Sequence, residues 1–311
     1  MLAAALCLTA GMERRALGQE LPSDDPGVAA PSLGPPPASA ATEAPPPLVW
    51  KWSKFSTADY VVSTLGGGVT LATAIIHPRP RHSFSRPFGF DTEVRKLLRA
   101  PTLGERYDFR DASDVGLSFA LAWPLVGDAL TTAWWYRGSR ETAQEMALID
   151  LETMAVVGAV QGVTNVFVSR ERPLGHDCGS GLPSDALDCR DAFRYRSFFS
   201  GHAAFSFAGA ALVCVQHFEN DLLGAPGDAL SCAGAYAVAA ATATFRVVAD
   251  VHYASDVLLG VAVGSLAGYG VPLLHYRNRR AGETAPHATG ASDLRLSLVP
   301  VPGGIGLHGS F

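Results

Sequence analysis

Three short segments hold most of the chemistry-bearing residues of this chain: Arg172-Pro173, Phe199-Ser200-Gly201-His202, and Arg246 with His252 and Asp256. Two arginines, two histidines, a serine–glycine pair and a carboxylate suit the holding of a phosphate and attack on its phosphorus. A guanidinium binds two phosphate oxygens at once. Ser200-Gly201 opens an apolar stretch. Backbone N–H groups at a helix start point at an anion, and the helix dipole favours negative charge there. Gly201 lets the backbone approach closely. His202 can hand a proton to a departing oxygen. His252 and Asp256 are four apart, which on a helix puts them on one face. A carboxylate there can orient the imidazole and stabilise its cation. No cofactor is needed for such a reaction. Each segment alone has an ordinary explanation: a loop histidine beside a helix-capping Asp, a Ser N-cap, or a charged helix end stopped by Pro173.

The elements that must position these groups are helical. Six apolar stretches lie near 57–76, 114–135, 145–168, 201–217, 229–247 and 255–275. Each is about 17–24 residues long, near the length that crosses a hydrocarbon core of ~30 Å. None shows the strict alternation of a half-buried strand. Their abundant Gly, Ala, Ser and Thr permit close helix packing. Asp128, Asp150 and Glu152 lie in or beside the second and third stretches and are expected to face the bundle interior. The expected fold is an all-α, six-helix up-and-down bundle, membrane-embedded, with a short C-terminal β-hairpin. In such a bundle the end of helix 3, the start of helix 4 and the loop from helix 5 to helix 6 meet on one side. That convergence unites the three segments.

Four regions follow from composition. Residues 1–20 read either as a signal peptide whose start lies upstream or as a frayed terminus. Residues 21–48, with Pro-Pro-Pro at 35–37 and 45–47, read as an extended linker. Residues 49–280 are the helical domain. They include a loop at 77–112, rich in Arg with several Asp and Glu, that holds a short amphipathic helix around Thr92–Arg99. In the tail, 281–311, Leu294, Leu296 and Leu298 alternate with polar residues before Pro302-Gly303-Gly304, a hairpin pattern. One hairpin cannot close a barrel. The chain is 48% hydrophobic and only 17% charged, against roughly 25% charged in ordinary soluble domains. Its net charge of −5 and lack of a basic run exclude nucleic acid as a partner.

The three segments resemble the motifs of the type 2 phosphatidic-acid phosphatase superfamily, which also takes in bacterial class A acid phosphatases and vanadium haloperoxidases. The resemblance spans residues 110–275, and its specific part is 165–256. Arg246, five residues, His252, three residues and Asp256 reproduce the third motif after its first serine. The resemblance implies that His252 is the nucleophile and Asp256 orients it. It further implies that His202 protonates the leaving group and later activates water, while Arg172, Arg246, Ser200 and the Gly201 amide hold the phosphate oxygens. The family's reaction needs no metal. Three positions depart from the pattern. Asn165 stands where the family has a lysine, so phosphate affinity should fall unless Arg170 substitutes. Phe199 replaces a proline and Phe245 a serine, with no charged group lost.

The expected function is a metal-independent phosphatase acting on a lipid phosphate or diphosphate through a phosphohistidine. Alternatives are a soluble periplasmic acid phosphatase of the same fold, a haloperoxidase, disfavoured by the missing lysine, and a degenerate phosphate-binding member. Cys178 and Cys189 flank the catalytic-side loop, while Cys214 and Cys232 lie near the opposite ends of helices 4 and 5. Disulfides in both pairs would imply an oxidising compartment at both ends of the bundle; four buried free thiols are the other reading. Arg137, Arg140, Arg277, Arg279 and Arg280 favour a cytoplasmic face opposite the site. The expected location is the inner membrane of a bacterial-type envelope with the site facing the periplasm, or else the periplasm itself.

Overall fold

The computed structural model describes residues 45–76, 78 and 87–277, and the backbone of 295–301 and 304–310. The expected leader and most of the linker lie outside the described residues. Eight α-helices are described, rather than six: α1 (Thr57–Ile75), α2 (Gly89–Leu98), α3 (Leu103–Ala122), α4 (Arg140–Val168), α5 (Asp191–Arg194), α6 (Gly201–Asn220), α7 (Ala225–Val248) and α8 (Ala254–Arg277). The six long ones fall on the six apolar stretches. α2 is the short amphipathic helix expected in the charged connection, begun three residues earlier, and the one-turn α5 is additional, in a polar connection where apolar runs give no signal. α3 starts eleven residues before its apolar stretch, because Thr102 and Glu105 form a capping box that nucleates it in charged sequence. β1 (Arg295–Val301) and β2 (Gly304–Ser310) pair antiparallel with Leu298 opposite Leu307.

α3 runs on into a wide π-helical stretch, Trp123–Tyr136. Pro124 has no N–H to give the Ala120 carbonyl. α6 packs against that carbonyl, and a Cβ on Gly209 would lie 2.3 Å from it. α6 is the central helix, packed on α3, α4, α7 and α8, while α1 packs on α4. The α6–α8 contact is the closest in kind. Gly260, Gly264 and Gly268 recur every fourth residue of α8 against the backbone of α6, and a Cβ on Gly264 would come within 2.1 Å of the Ala204 carbonyl. Only glycine allows that approach. It brings the start of α8 onto the start of α6, where Ser200 N donates to the Asp256 carbonyl at 3.0 Å.

The interior is polar in places. Asp128, Asp150 and Glu152 are buried, as expected from their position. His217 on α6 lies between Asp228 (2.6 Å) and Asp128 (3.2 Å), and Gln216 donates to Asp150. The outside is apolar: Leu71, Trp135 and Leu266 are 72%, 82% and 74% exposed. Among the described residues four helical segments, not six, are long and apolar enough to cross a membrane: Leu103–Tyr136, Arg140–Asp177, Ala225–Val248 and Ala254–Arg277. α1 falls short through its Ser, Thr and Gly-Gly-Gly content. α6 falls short through His202, Gln216 and His217, which its central position shelters. Disulfides join Cys178 to Cys189 and Cys214 to Cys232.

Candidate active site

The three segments converge at one end of the bundle. α4 ends where Ser169 takes a left-handed conformation (φ 47°) and its N–H caps the Asn165 carbonyl. The chain then turns inward through Arg170 and returns at Arg172, whose N–H donates to the Arg194 carbonyl at 2.8 Å. Pro173 opens a tight 3₁₀ turn, and Leu174 N donates to the Asp250 carbonyl. That bond ties the first segment to the α7–α8 loop. Asp250 itself has φ 62°, a left-handed conformation. Its buried carboxylate is gripped by Arg95 (2.6 and 2.7 Å) and Arg99 (2.8 Å). The charged connection at 77–112 therefore supplies a clamp on the loop that carries His252.

His252 is 3% exposed. Its Nδ1 donates to the Ser197 carbonyl at 2.7 Å. A carbonyl only accepts, so Nδ1 carries the proton and Nε2 of the neutral ring keeps its lone pair. Burial, together with the charges of Arg172, Arg246 and His202, holds the His252 pKa well below the usual imidazole value. The ring is thus kept neutral, as a nucleophile requires. The expected direct partnership with Asp256 is not found: its Oδ2 lies 3.9 Å from Nδ1. Asp256 acts one step removed. It accepts from Ser197 Oγ (2.6 Å) and Tyr253 N (2.9 Å), and so fixes the residue whose carbonyl holds the histidine.

Arg246 is buried, and its Nη1 donates to Ser113 Oγ (2.9 Å) and Asp114 Oδ1 (3.1 Å). Its Nε, like that of Arg172, is buried without a hydrogen-bond partner among the described residues. Two guanidinium edges with an unused donor beside a buried histidine are what an incoming phosphate would satisfy. His202 lies on the first turn of α6 and pairs through Nε2 with Asp114 Oδ1 at 2.7 Å. Ser200 is the N-cap, its hydroxyl accepting from Ala203 N, and Gly201 begins the helix with its N–H at the open end.

Two expected phosphate contacts do other work. Arg170 is fully buried and cannot stand in for the missing lysine. It binds Asp91 Oδ2 (2.9 Å), Ser255 Oγ (2.8 Å) and Asp256 Oδ1, and its guanidinium lies over the Tyr253 ring. Asn165 is 1% exposed and donates to the Gln161 and Phe199 carbonyls at 3.2 and 3.3 Å. It braces the second segment rather than carrying charge to the site. Phe199, in the proline position, is sunk among Val157, Ala204 and Ala208. Asp91, Ser113, Asp114 and Ser197 were not singled out by sequence. The several carboxylates of an Arg-rich connection are the signal that takes in Asp91. At the other end of α8, Asp59, Glu152 and His275 bring one ligand atom each within 4.8 Å of one another. There Asp59 closes the capping box of α1 and Glu152 pairs with His275.

Comparison with known proteins agrees with the motifs. Residues 147–280 match the family model of the PAP2 superfamily. A lipid A 1-phosphatase of Porphyromonas gingivalis is 30% identical over 145 residues, which is 47% of this chain and 27% of that protein. This chain therefore spans about a quarter of that relative's length. A transmembrane PAP2-type phosphatidylglycerolphosphate phosphatase of Bacillus subtilis overlaps 72% of this chain and 98% of its own, at 19% identity and a TM-score of 0.46. That overlap is too loose to carry an argument. The segment that matches the PAP2-superfamily model, residues 147–280, holds all three motif regions.

Proposed function

We propose that this chain is a membrane phosphatase that hydrolyses a lipid-borne phosphomonoester or diphosphate through a phosphohistidine on His252. The observation that carries the reading is the pairing of a neutral, buried His252, with Nε2 free, and the unpartnered Nε groups of Arg172 and Arg246. The arginines and the start of α6 hold the phosphate oxygens. His252 Nε2 attacks phosphorus as the ester oxygen leaves with a proton from His202. Water, giving its proton to His202, then releases phosphate. Asp256 and Ser197 keep the imidazole aimed.

The exposed apolar belt and the four long apolar helices support a bilayer setting. A belt of that size on a soluble protein would be an association liability. The name of the Porphyromonas gingivalis relative supports a lipid-borne phosphate as substrate. The arginines far from the site support a periplasm-facing active centre in a bacterial inner membrane. The two disulfides favour a second reading, a soluble periplasmic phosphatase, because they lie toward opposite ends of the bundle.

The test is phosphate release by detergent-purified protein with EDTA present, from phosphatidic acid, undecaprenyl diphosphate and p-nitrophenyl phosphate. Release that tolerates EDTA and vanishes in His252→Ala and His202→Ala is expected. Equal turnover in wild type and both variants refutes the mechanism. Full extraction by buffer without detergent would select the soluble reading.

A further inference from the structure

We propose that Asp114 is a positioning residue for the proton donor: its carboxylate anchors His202 through Nε2 and presents Nδ1 to the leaving oxygen. The inference rests on the phosphatase reading above and goes beyond the three motifs, which do not include α3. One oxygen, Asp114 Oδ1, accepts from His202 Nε2 at 2.7 Å and from Arg246 Nη1 at 3.1 Å. Ser113, its neighbour on α3, takes the same Arg246 nitrogen at 2.9 Å. Two adjacent residues of α3 therefore fix the spacing between the proton donor and a guanidinium that holds the phosphate.

The chemistry follows from what each atom can do. A carboxylate only accepts, so His202 Nε2 carries a hydrogen. His202 Nδ1 has no hydrogen-bond partner among the described residues. The transferable proton is therefore the one on Nδ1, present when the ring is a cation. Burial, with the charges of Arg246 and Arg172, holds the His202 pKa below the usual imidazole value, and Asp114 is the carboxylate that opposes them in favour of the cation. The arrangement has the logic of an acid holding a catalytic histidine from behind.

The step balances. As the His252 Nε2–phosphorus bond forms and the phosphorus–oxygen bond to the leaving group breaks, the Nδ1 proton of His202 passes to that oxygen. His202 is then neutral. In the second step water attacks phosphorus, its proton returns to Nδ1, and the nitrogen–phosphorus bond breaks. Asp114 exchanges no proton in either step. Its side chain is 54% exposed. The position is thus open to substitution with little packing lost.

The test compares Asp114→Asn, Asp114→Ser and Asp114→Glu with wild type in detergent. Substrates are phosphatidic acid, phenyl phosphate and p-nitrophenyl phosphate, whose leaving groups need progressively less protonation. A positioned general acid contributes about 10²–10⁴-fold. Loss of its anchor should lower kcat about 100-fold on phosphatidic acid and only a few-fold on p-nitrophenyl phosphate, with KM little changed. Asp114→Glu should recover part of the loss. An equal loss on all three substrates, a loss confined to KM, or full activity in both Asn and Ser variants overturns the inference. Wild type idle on every substrate, or turnover surviving in His252→Ala, refutes the phosphatase reading instead.

Discussion

Replacing Arg170 by Gln should unfold the catalytic end of this protein rather than weaken its grip on phosphate. Arg170, Asp91 and Asp256 have side chains with no exposure at all. The guanidinium binds both carboxylates and the Ser255 hydroxyl, while Asp91 also accepts from Ser255 N and Oγ at 2.8 Å. Removing one member of a buried ion pair costs about 3–5 kcal/mol, chiefly because the partner is left charged and unsolvated. Here two carboxylates are stranded by one change, so about 5 kcal/mol is expected. That equals the lower end of a domain's whole stability, roughly 5–15 kcal/mol. Asp91→Asn leaves Arg170 paired with Asp256 and should cost less, about 2 kcal/mol, the worth of a charge-assisted hydrogen bond. Equilibrium unfolding in mixed micelles, followed by tryptophan fluorescence, measures both. An Arg170→Gln protein with wild-type stability and a raised KM would refute the reasoning and return Arg170 to the phosphate site.

Other outcomes follow from the same geometry. Asn165→Ala should lose about 1–2 kcal/mol of stability with KM nearly unchanged, since its amide holds backbone carbonyls; a tenfold KM increase at constant stability would make it a phosphate ligand. Gly264→Ala forces a Cβ to 2.1 Å from the Ala204 carbonyl and should cost about 3 kcal/mol. Gly270→Ala, where a Cβ meets nothing within 4 Å, should be neutral or slightly stabilising, so equal melting points for the two would contradict the packing. The depressed pKa of His252 places the acid limb of kcat/KM below the ordinary imidazole value of about 6.5. In stability the sign is the reverse of a salt-bridged histidine. The unfolded ring takes up its proton first as pH falls through about 6.5, so stability drops below that pH and is complete above it. An acid limb at or above the ordinary value would mean that the ring is not held neutral.

The long helices were legible because each carries a long apolar run, and the start of α6 follows from the Ser200 N-cap. The gathering of the three segments was legible for the same reason: antiparallel neighbours force alternate loops to one end. What could not be read is the set of residues that holds the motif residues. Arg170 and Arg172 are two positions apart and chemically identical. Their different fates are decided by Asp91, 79 residues from Arg170. No local spacing encodes that contact. The same holds for Asp114, which reaches His202 across 88 residues.

Asp256 shows how a correct spacing can mislead. Four residues separate it from His252, and on one helix that separation would put the carboxylate beside the ring. α8 begins only at Ala254, so His252 precedes the helix and its ring is free of the helical register. It turns instead to the Ser197 carbonyl, the one acceptor that fixes its tautomer. Asp256 is left to bind the Ser197 hydroxyl, the Tyr253 amide and Arg170. The acid of the motif therefore acts on His252 through the shape of a loop and not through a shared proton. Asp256→Asn should on that account retain much more activity than His252→Ala whenever the fold survives, and a complete loss in a folded Asp256→Asn protein would argue for direct carboxylate–imidazole contact during turnover.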